Sequence, residues 1–394
     1  MYKRKNIYII LHTLSIGGAE RHASSIANYL SECGFNVTII LIQDNRVEYA
    51  LNNSIRVIAL QDLLFPESIK NYKATIIELF LLKLFKATNQ RKYQLIDKNI
   101  YLKSVYLEKL KWVFYKEKDI SNSIVISFMT IPNLCSSELK KTFHYQLIMG
   151  EFTAPQLEFS NDAPENGLKK DVYPNADVFV FQTEEQKAFY SYLSDVRKCI
   201  IPNPIENINV EPYKGTREKT IVNYCKHVKA KNLPLLIESF AKLNIEYPDY
   251  SLVIYGDGPE KAETENCIKK HSLENKVILK PYDKDVLEKV RRSAMFVSSS
   301  DREGISNSML EAMAIGLPVI CTDCPAGGAR MFIKNYENGI LVPVRDSEAL
   351  YKAMKYIIDN PDKSKQMGKN AIDIRDTLNK NKILKIWLDL IESL

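Results

Sequence analysis

MFVSSSDREGISNSMLEAMAIGLPVICT, residues 295–322, runs from an apolar, β-prone stretch through a polar loop into a helical pattern and out into a second apolar stretch. Strands are expected at 295–300 and 318–322, with a helix from about Ser308 to Ile315 capped by the Asn307 side chain. A strand, helix and strand so closely spaced form the crossover unit of a parallel sheet, because parallel neighbours cannot be joined by a tight turn. The same alternation extends along the chain. In the first half, strands are expected at 6–11, 37–42, 56–60, 124–128, 145–149 and 178–182; in the second, at 219–225, 251–256, 276–280, 295–300, 318–322 and 339–343. Between the two sets, CIIPNPIENINVEP (199–212) has three prolines and no apolar periodicity, which predicts a linker. The fold class is therefore α/β, with two doubly wound, Rossmann-like domains facing each other across a cleft: 1–203 and 204–379, with a C-terminal helix at about 380–394 that packs back on the first. Functional residues are expected in loops just after strands, where open α/β sheets bind ligands.

The 394 residues suit two such cores, and 45% hydrophobic with 26% charged residues describes a soluble globular chain. No apolar run approaches the roughly 20 residues of a spanning helix. The start, MYKRKNIYIILHTL, is basic and then apolar, but its apolar part is too short for a secretory signal, so a cytoplasmic first strand is expected. Seven scattered cysteines fit a reducing compartment, and the single CxxC at Cys321 and Cys324 lacks a second ligand pair, so no metal site is expected. The net charge of +6 is uneven: Lys70 to Lys118 contains twelve Lys or Arg against four Asp or Glu. Its stretches TIIELFLLKLF and YLEKLKWVFY mix bulky apolar residues with lysines, as in helices lying on an anionic bilayer; a helical hairpin with a solvated lysine face accounts for them equally well. No nucleic-acid motif accompanies the charge.

Three loops carry candidate chemistry. In HTLSIGGAERHASS, Gly17 and Gly18 join a strand to a helix; paired glycines allow close backbone approach, although the GxGxxG dinucleotide pattern is absent. In NYCKHVKAKNLP, Lys226 and Lys231 converge ahead of a helix near Leu233, an arrangement suited to a diphosphate. In the opening stretch, Glu303 lies in the loop and Glu311 in the helix. A helix N-terminus between them attracts phosphate, while the carboxylates accept hydrogen bonds from sugar hydroxyls.

Taken together, GGAER (17–21), IPNPI (201–205), CKHVKAKN (225–232), YGDGP (255–259), EGISNSMLEAMAIGLPVI (303–320), CPAGGAR and NGILVP resemble the retaining glycosyltransferase family 4, of GT-B fold, over nearly the whole chain. The Glu-x7-Glu frame is the most specific piece. The resemblance implies that Glu311 binds the ribose hydroxyls, that Glu303 stands near the donor sugar, and that Lys226 and Lys231 hold the diphosphate. Lys226 takes the place of the family's usual arginine, leaving a point charge instead of a bidentate fork. Backbone groups of Asn307, Ser308, Met309 and Leu310 would complete the nucleotide site, with Gly17 and Gly18 closing over it. In MGEFTAP (149–155), Phe152 occupies the place of a family histidine, with Glu151 as a candidate beside it.

The resemblance further implies transfer with retention, a leaving diphosphate stabilised by positive charge without a metal or other cofactor, a UDP-sugar donor and a lipid-linked saccharide acceptor in bacterial surface polysaccharide synthesis. The enzyme would be a hexosyl- or N-acetylhexosaminyl-transferase, in the cytoplasm or peripheral on the membrane through residues 70–118. Three alternatives stand beside it: a metal-dependent transferase using Asp283 and Asp285, a nucleotide-sugar epimerase, and a non-catalytic scaffold partner.

Overall fold

The computed structural model describes residues 5–15, 17–66, 105–152, 172–206 and 208–394. The chain separates into two compact units: one runs to Ile201 and takes in Leu384–Leu394, and the other is Pro202–Ile383.

The first unit is built on strands β1 (Asn6–Leu11), β2 (Asn36–Leu41), β3 (Arg56–Ala59), β4 (Ser123–Phe128), β5 (Gln146–Gly150), β6 (Val178–Phe181) and β7 (Arg197–Ile200). They form one parallel sheet in the order β3-β2-β1-β4-β5-β6-β7. NIYIIL and SIVISF are buried almost end to end, as strands covered on both faces must be. Helices Gly18–Glu32 and Thr130–Phe143 supply cover, and residues 105–116 are also helical. The C-terminal helix Lys380–Glu392 ends in this unit: Trp387 is fully buried, its ring 5.7 Å from His22 and 5.9 Å from Phe128.

Strand β7 corrects the expected linker, since Cys199 and Ile200 pair with Val180 and Phe181. This edge strand, RKCI, is only partly buried, so it lacks the apolar run that marked its neighbours.

The second unit contains β8 (Glu218–Tyr224), β9 (Ser251–Tyr255), β10 (Val277–Lys280), β11 (Ser293–Ser298), β12 (Val319–Thr322) and β13 (Ile340–Val342), parallel in the order β10-β9-β8-β11-β12-β13. Arg217 pins this sheet, its guanidinium donating to the carbonyls of Arg291, Ser293 and Gly316; burial lowers its pKa to about 10. Among the described residues, no helix is long and apolar enough to cross a membrane. Residues 67–104, the greater part of the basic segment, lie outside the described residues.

Candidate functional site

In the second unit the strand order reverses between β8 and β11, and the crevice outside the carboxyl ends of such a pair is where open α/β sheets bind ligands. The two loops leaving that point are 225–232, with Lys226 and Lys231, and 299–306, with Glu303. They are stitched together. Asp301 N–H donates to the Ala230 carbonyl at 2.8 Å, Asn232 Nδ2 to Asp301 Oδ1 at 2.8 Å, and Ser299 Oγ to the carbonyls of Lys231 and Asn232 at 3.0 Å each. Asn232 adopts the left-handed conformation (φ 44°), which an asparagine tolerates, and the helix Leu233–Glu246 starts directly behind it.

This stitching brings Lys231 to Glu303, and the two form an ion pair with side chains only 19% and 20% exposed. Burial draws the Lys231 ammonium below its ordinary pKa, while the nearby thiols of Cys225, Cys324 and Cys321 act in the opposite direction. Burial likewise pushes the Cys225 and Cys324 thiols up to about 11, and Cys321 higher still. All three are free thiols. Lys226 is exposed, and its ammonium has no partner among the described residues.

The helix behind Glu303 runs Asn307–Ala314, and Ser306 caps it, Oγ accepting from Met309 N–H at 3.4 Å. The cap is thus one residue earlier than expected; Asn307 is the first helical residue, and its carboxamide accepts from Asn203 Nδ2 at 3.1 Å. The shift matters for anion binding. Leu310 N–H donates to the Ser306 carbonyl at 3.1 Å and Met309 N–H is bonded to the cap, and both side chains are buried, so neither residue offers a donor. Asn307 and Ser308 N–H have no acceptor among the described residues and form the positive end of the helix, both residues being partly exposed. The Tyr224 hydroxyl steadies this end by donating to the Ser308 carbonyl at 2.8 Å. Glu311 sits one turn further in and is partly exposed.

Two further loops brace the Glu303 segment. Thr322 Oγ1 donates to the Ser300 carbonyl at 2.5 Å, and Gly328 packs so closely on Gly304 that an added Cβ would lie 2.7 Å from the Gly304 carbonyl carbon and 2.9 Å from Ile305 Cα. The glycines of YGDGP serve packing: Gly256 (φ 130°) lies under the Cys225 carbonyl and Gly258 (φ 156°) under that of His227. His227 N–H donates to the Asp257 carbonyl at 2.8 Å, and its fully buried ring has neither nitrogen hydrogen-bonded. Asp283 pairs with Lys289 and accepts from Asp285 N–H at 2.9 Å ahead of the helix Val286–Val290.

Gly17 and Gly18 belong to the first unit, so the second unit does not gather them with the lysines. Gly17 caps the helix Gly18–Glu32, and the Tyr49 hydroxyl accepts from its N–H at 2.9 Å and donates to its carbonyl at 2.8 Å. Glu151, also in the first unit, is buried just past β5 and accepts from the hydroxyls of Thr130, at 3.3 Å, and Tyr173. Sequence reasoning missed Asp301, Asn232 and Ser306. Asn232, ahead of a proline at the second helical position, and Ser306, a good cap residue, carried local signals; Asp301 carried none.

Residues 205–373 match the family described as Glycosyl transferases group 1. The chain is 26% identical over 380 residues to the N-acetylgalactosamine-N,N'-diacetylbacillosaminyl-diphospho-undecaprenol 4-alpha-N-acetylgalactosaminyltransferase of Campylobacter jejuni, covering 93% of each chain. Sucrose-phosphate synthase of Thermosynechococcus elongatus superposes with a TM-score of 0.77 at 19% identity over 99% of each chain. Anabaena HepE in complex with UDP and glucose superposes with a TM-score of 0.76 at 15% identity, over 99% of this chain and 100% of that one. These solved structures share the GT-B fold of two Rossmann-like domains. The match to the group 1 glycosyltransferases thus lies in the second unit, and the two parallel sheets give the chain the GT-B fold of these solved structures.

Proposed function

We propose that this chain is a retaining, metal-independent transferase that moves a hexosyl or N-acetylhexosaminyl group from a UDP-sugar to a lipid-linked saccharide during bacterial surface polysaccharide synthesis. The observation that carries the proposal is the juxtaposition of the Lys231–Glu303 pair with the two unbonded N–H groups of Asn307 and Ser308 at the switch point of the second sheet. A diphosphate suits this place because it can take Lys231 from Glu303, meet Lys226, and accept from the helix start. Glu303, released, would face the donor sugar, and Glu311 would take the ribose hydroxyls. As the glycosidic bond to the diphosphate breaks, charge grows on the leaving oxygen, and fixed positive groups stabilise it without reorganising.

The acceptor role falls to the first unit and the donor role to the second. The names of the similar proteins support donor and acceptor class, one bound to UDP and glucose and one acting on a diphospho-undecaprenol saccharide. A peripheral station on the cytoplasmic membrane face fits such an acceptor. In the described end of the basic segment, Tyr115 is 66% exposed and the Lys116 ammonium lies 3.7 Å above the Trp112 ring, the amphipathic chemistry of an interfacial helix.

The test is a panel of nucleotide sugars scored by thermal stabilisation. A donor at about 100 times its Kd adds roughly 2.7 kcal/mol, which raises Tm by several degrees. Stabilisation by UDP-sugars that disappears in Glu311→Ala supports the proposal; no response to any nucleotide sugar refutes it.

A further inference from the structure

Lys231 and Glu303 stand on different loops, and a single residue grips both. Asp301 N–H donates to the Ala230 carbonyl at 2.8 Å, and Asp301 Oδ1 accepts from Asn232 Nδ2 at 2.8 Å. Ala230 and Asn232 are the residues on either side of Lys231, so Asp301 fixes the backbone of that lysine from both directions. Glu303 follows Asp301 on the same loop, two residues on. A change at Asp301 therefore alters the relation between the two members of the ion pair.

The second carboxylate oxygen is engaged from a third loop, where Arg345 Nε donates to Asp301 Oδ2 at 3.0 Å. Asp301 comes three residues after the end of β11 and Arg345 three residues after the end of β13, with β12 between them in the sheet. At the end of β12, Thr322 Oγ1 bonds the Ser300 carbonyl, so the loops leaving β8, β11, β12 and β13 meet at Ser300 and Asp301. Both side-chain partners of Asp301 have left-handed backbones, Asn232 with φ 44° and Arg345 with φ 59°. A residue other than glycine keeps that conformation where its surroundings fix it, and these two are tied to the same carboxylate. The Asp301 side chain is 16% exposed and that of Arg345 74%, so an enclosed carboxylate receives its counter-charge from the solvent side.

The geometry points to Asp301 as a positioning residue for the donor site, held by Arg345 and acting through Lys231. With both oxygens bonded within the protein, Asp301 is not itself a ligand for the donor. Its effect is to keep the Lys231 ammonium where a diphosphate can take it over from Glu303. This inference rests on the donor reading above for its consequence, but the positioning itself can be measured without any nucleotide.

The first readout is acylation of the full chain by acetic anhydride at mildly alkaline pH, followed by mass spectrometry, with the exposed Lys226 as internal reference. We expect Lys231 to be labelled roughly fivefold or more faster, relative to Lys226, in Asp301→Ala. The gain should be smaller in Asp301→Asn, which keeps an acceptor for Asn232. Arg345→Met, made at an exposed side chain, leaves the fold intact and should act in the same direction to a lesser degree. A contact that served stability alone would lower Tm and leave the relative labelling unchanged. The second readout is calorimetric titration of UDP. Asp301→Ala should weaken UDP by roughly fivefold or more when Lys231 is present and have little effect in the Lys231→Met background, because a residue acting through Lys231 then has nothing to act on. Unchanged relative labelling of Lys231 in both Asp301→Ala and Arg345→Met, or a loss of UDP affinity that persists in Lys231→Met, overturns the inference. If labelling responds as expected while UDP does not bind the unmodified protein, the donor reading fails and the positioning of Lys231 by Asp301 stands.

Discussion

Gly328→Ala tests the bracing of Glu303 by steric means alone. The glycine is the first residue of the helix Gly328–Phe332 and its backbone needs no left-handed conformation, so only the added methyl acts. That methyl would lie 2.7 Å from the Gly304 carbonyl carbon and 2.9 Å from Ile305 Cα, nearer still to the Gly304 oxygen, where real Cβ contacts stay beyond 3.0 Å. Both neighbours are backbone and cannot swing aside, so the loop carrying Glu303 must move by ~1 Å, a displacement that costs roughly 100-fold in rate when it misplaces a reacting group. The local cost in stability is that of overpacking, about 1–3 kcal/mol. The assay is sugar release from the best nucleotide sugar, with and without acceptor, beside thermal melting. The account expects kcat/KM to fall by roughly 100-fold while the protein stays folded at 25 °C. Unchanged turnover with unchanged Tm would refute the bracing role of this contact.

Three further outcomes are expected. Glu303→Gln frees Lys231 from its carboxylate, so calorimetry should show UDP bound at least as tightly as by the unmodified protein while turnover falls by about 100-fold or more; weaker UDP binding would contradict the proposed exchange of partners. His227→Leu replaces a buried ring whose nitrogens are unbonded, a burden of about 1–3 kcal/mol, and should raise Tm. Burial holds the His227 pKa below its ordinary 6.5, with Asp257 opposing and Lys261 assisting, so the unfolded chain binds a proton that the folded one refuses. Stability is therefore lost as pH falls from 6.5 through the folded value, and the variant should lose less of it than the unmodified protein; identical pH profiles would exclude this burden. Charge reversal at Lys109 and Lys111 should reduce sedimentation with vesicles of anionic lipid, and absence of sedimentation in the unmodified protein rules the membrane station out.

The parts of this molecule that were readable in its sequence are those governed by local patterns. Buried parallel strands are apolar along most of their length, so NIYIIL and SIVISF announce themselves. RKCI, at the sheet edge, is under no such requirement, and its neighbour Pro202 made it look like linker. The helix at 307–314 was legible, but its cap was assigned one residue late because Ser306 and Asn307 are both good caps, and only the bond from Met309 N–H decides between them. The pairing of Lys231 with Glu303 depends on Asp301 and Asn232 joining two loops nearly 70 residues apart, a contact no local pattern encodes.

The most direct test of the central claim is calorimetric titration of UDP into the full chain, compared with Lys231→Met and Glu311→Ala. A hydrogen bond to a charged group is worth about 1.5–3 kcal/mol, so each variant should weaken UDP by roughly 10- to 150-fold. Saturable UDP binding that both substitutions weaken to this degree is the predicted result. Absence of binding at millimolar UDP, or binding indifferent to both residues, would contradict a nucleotide site at the switch point of the second sheet.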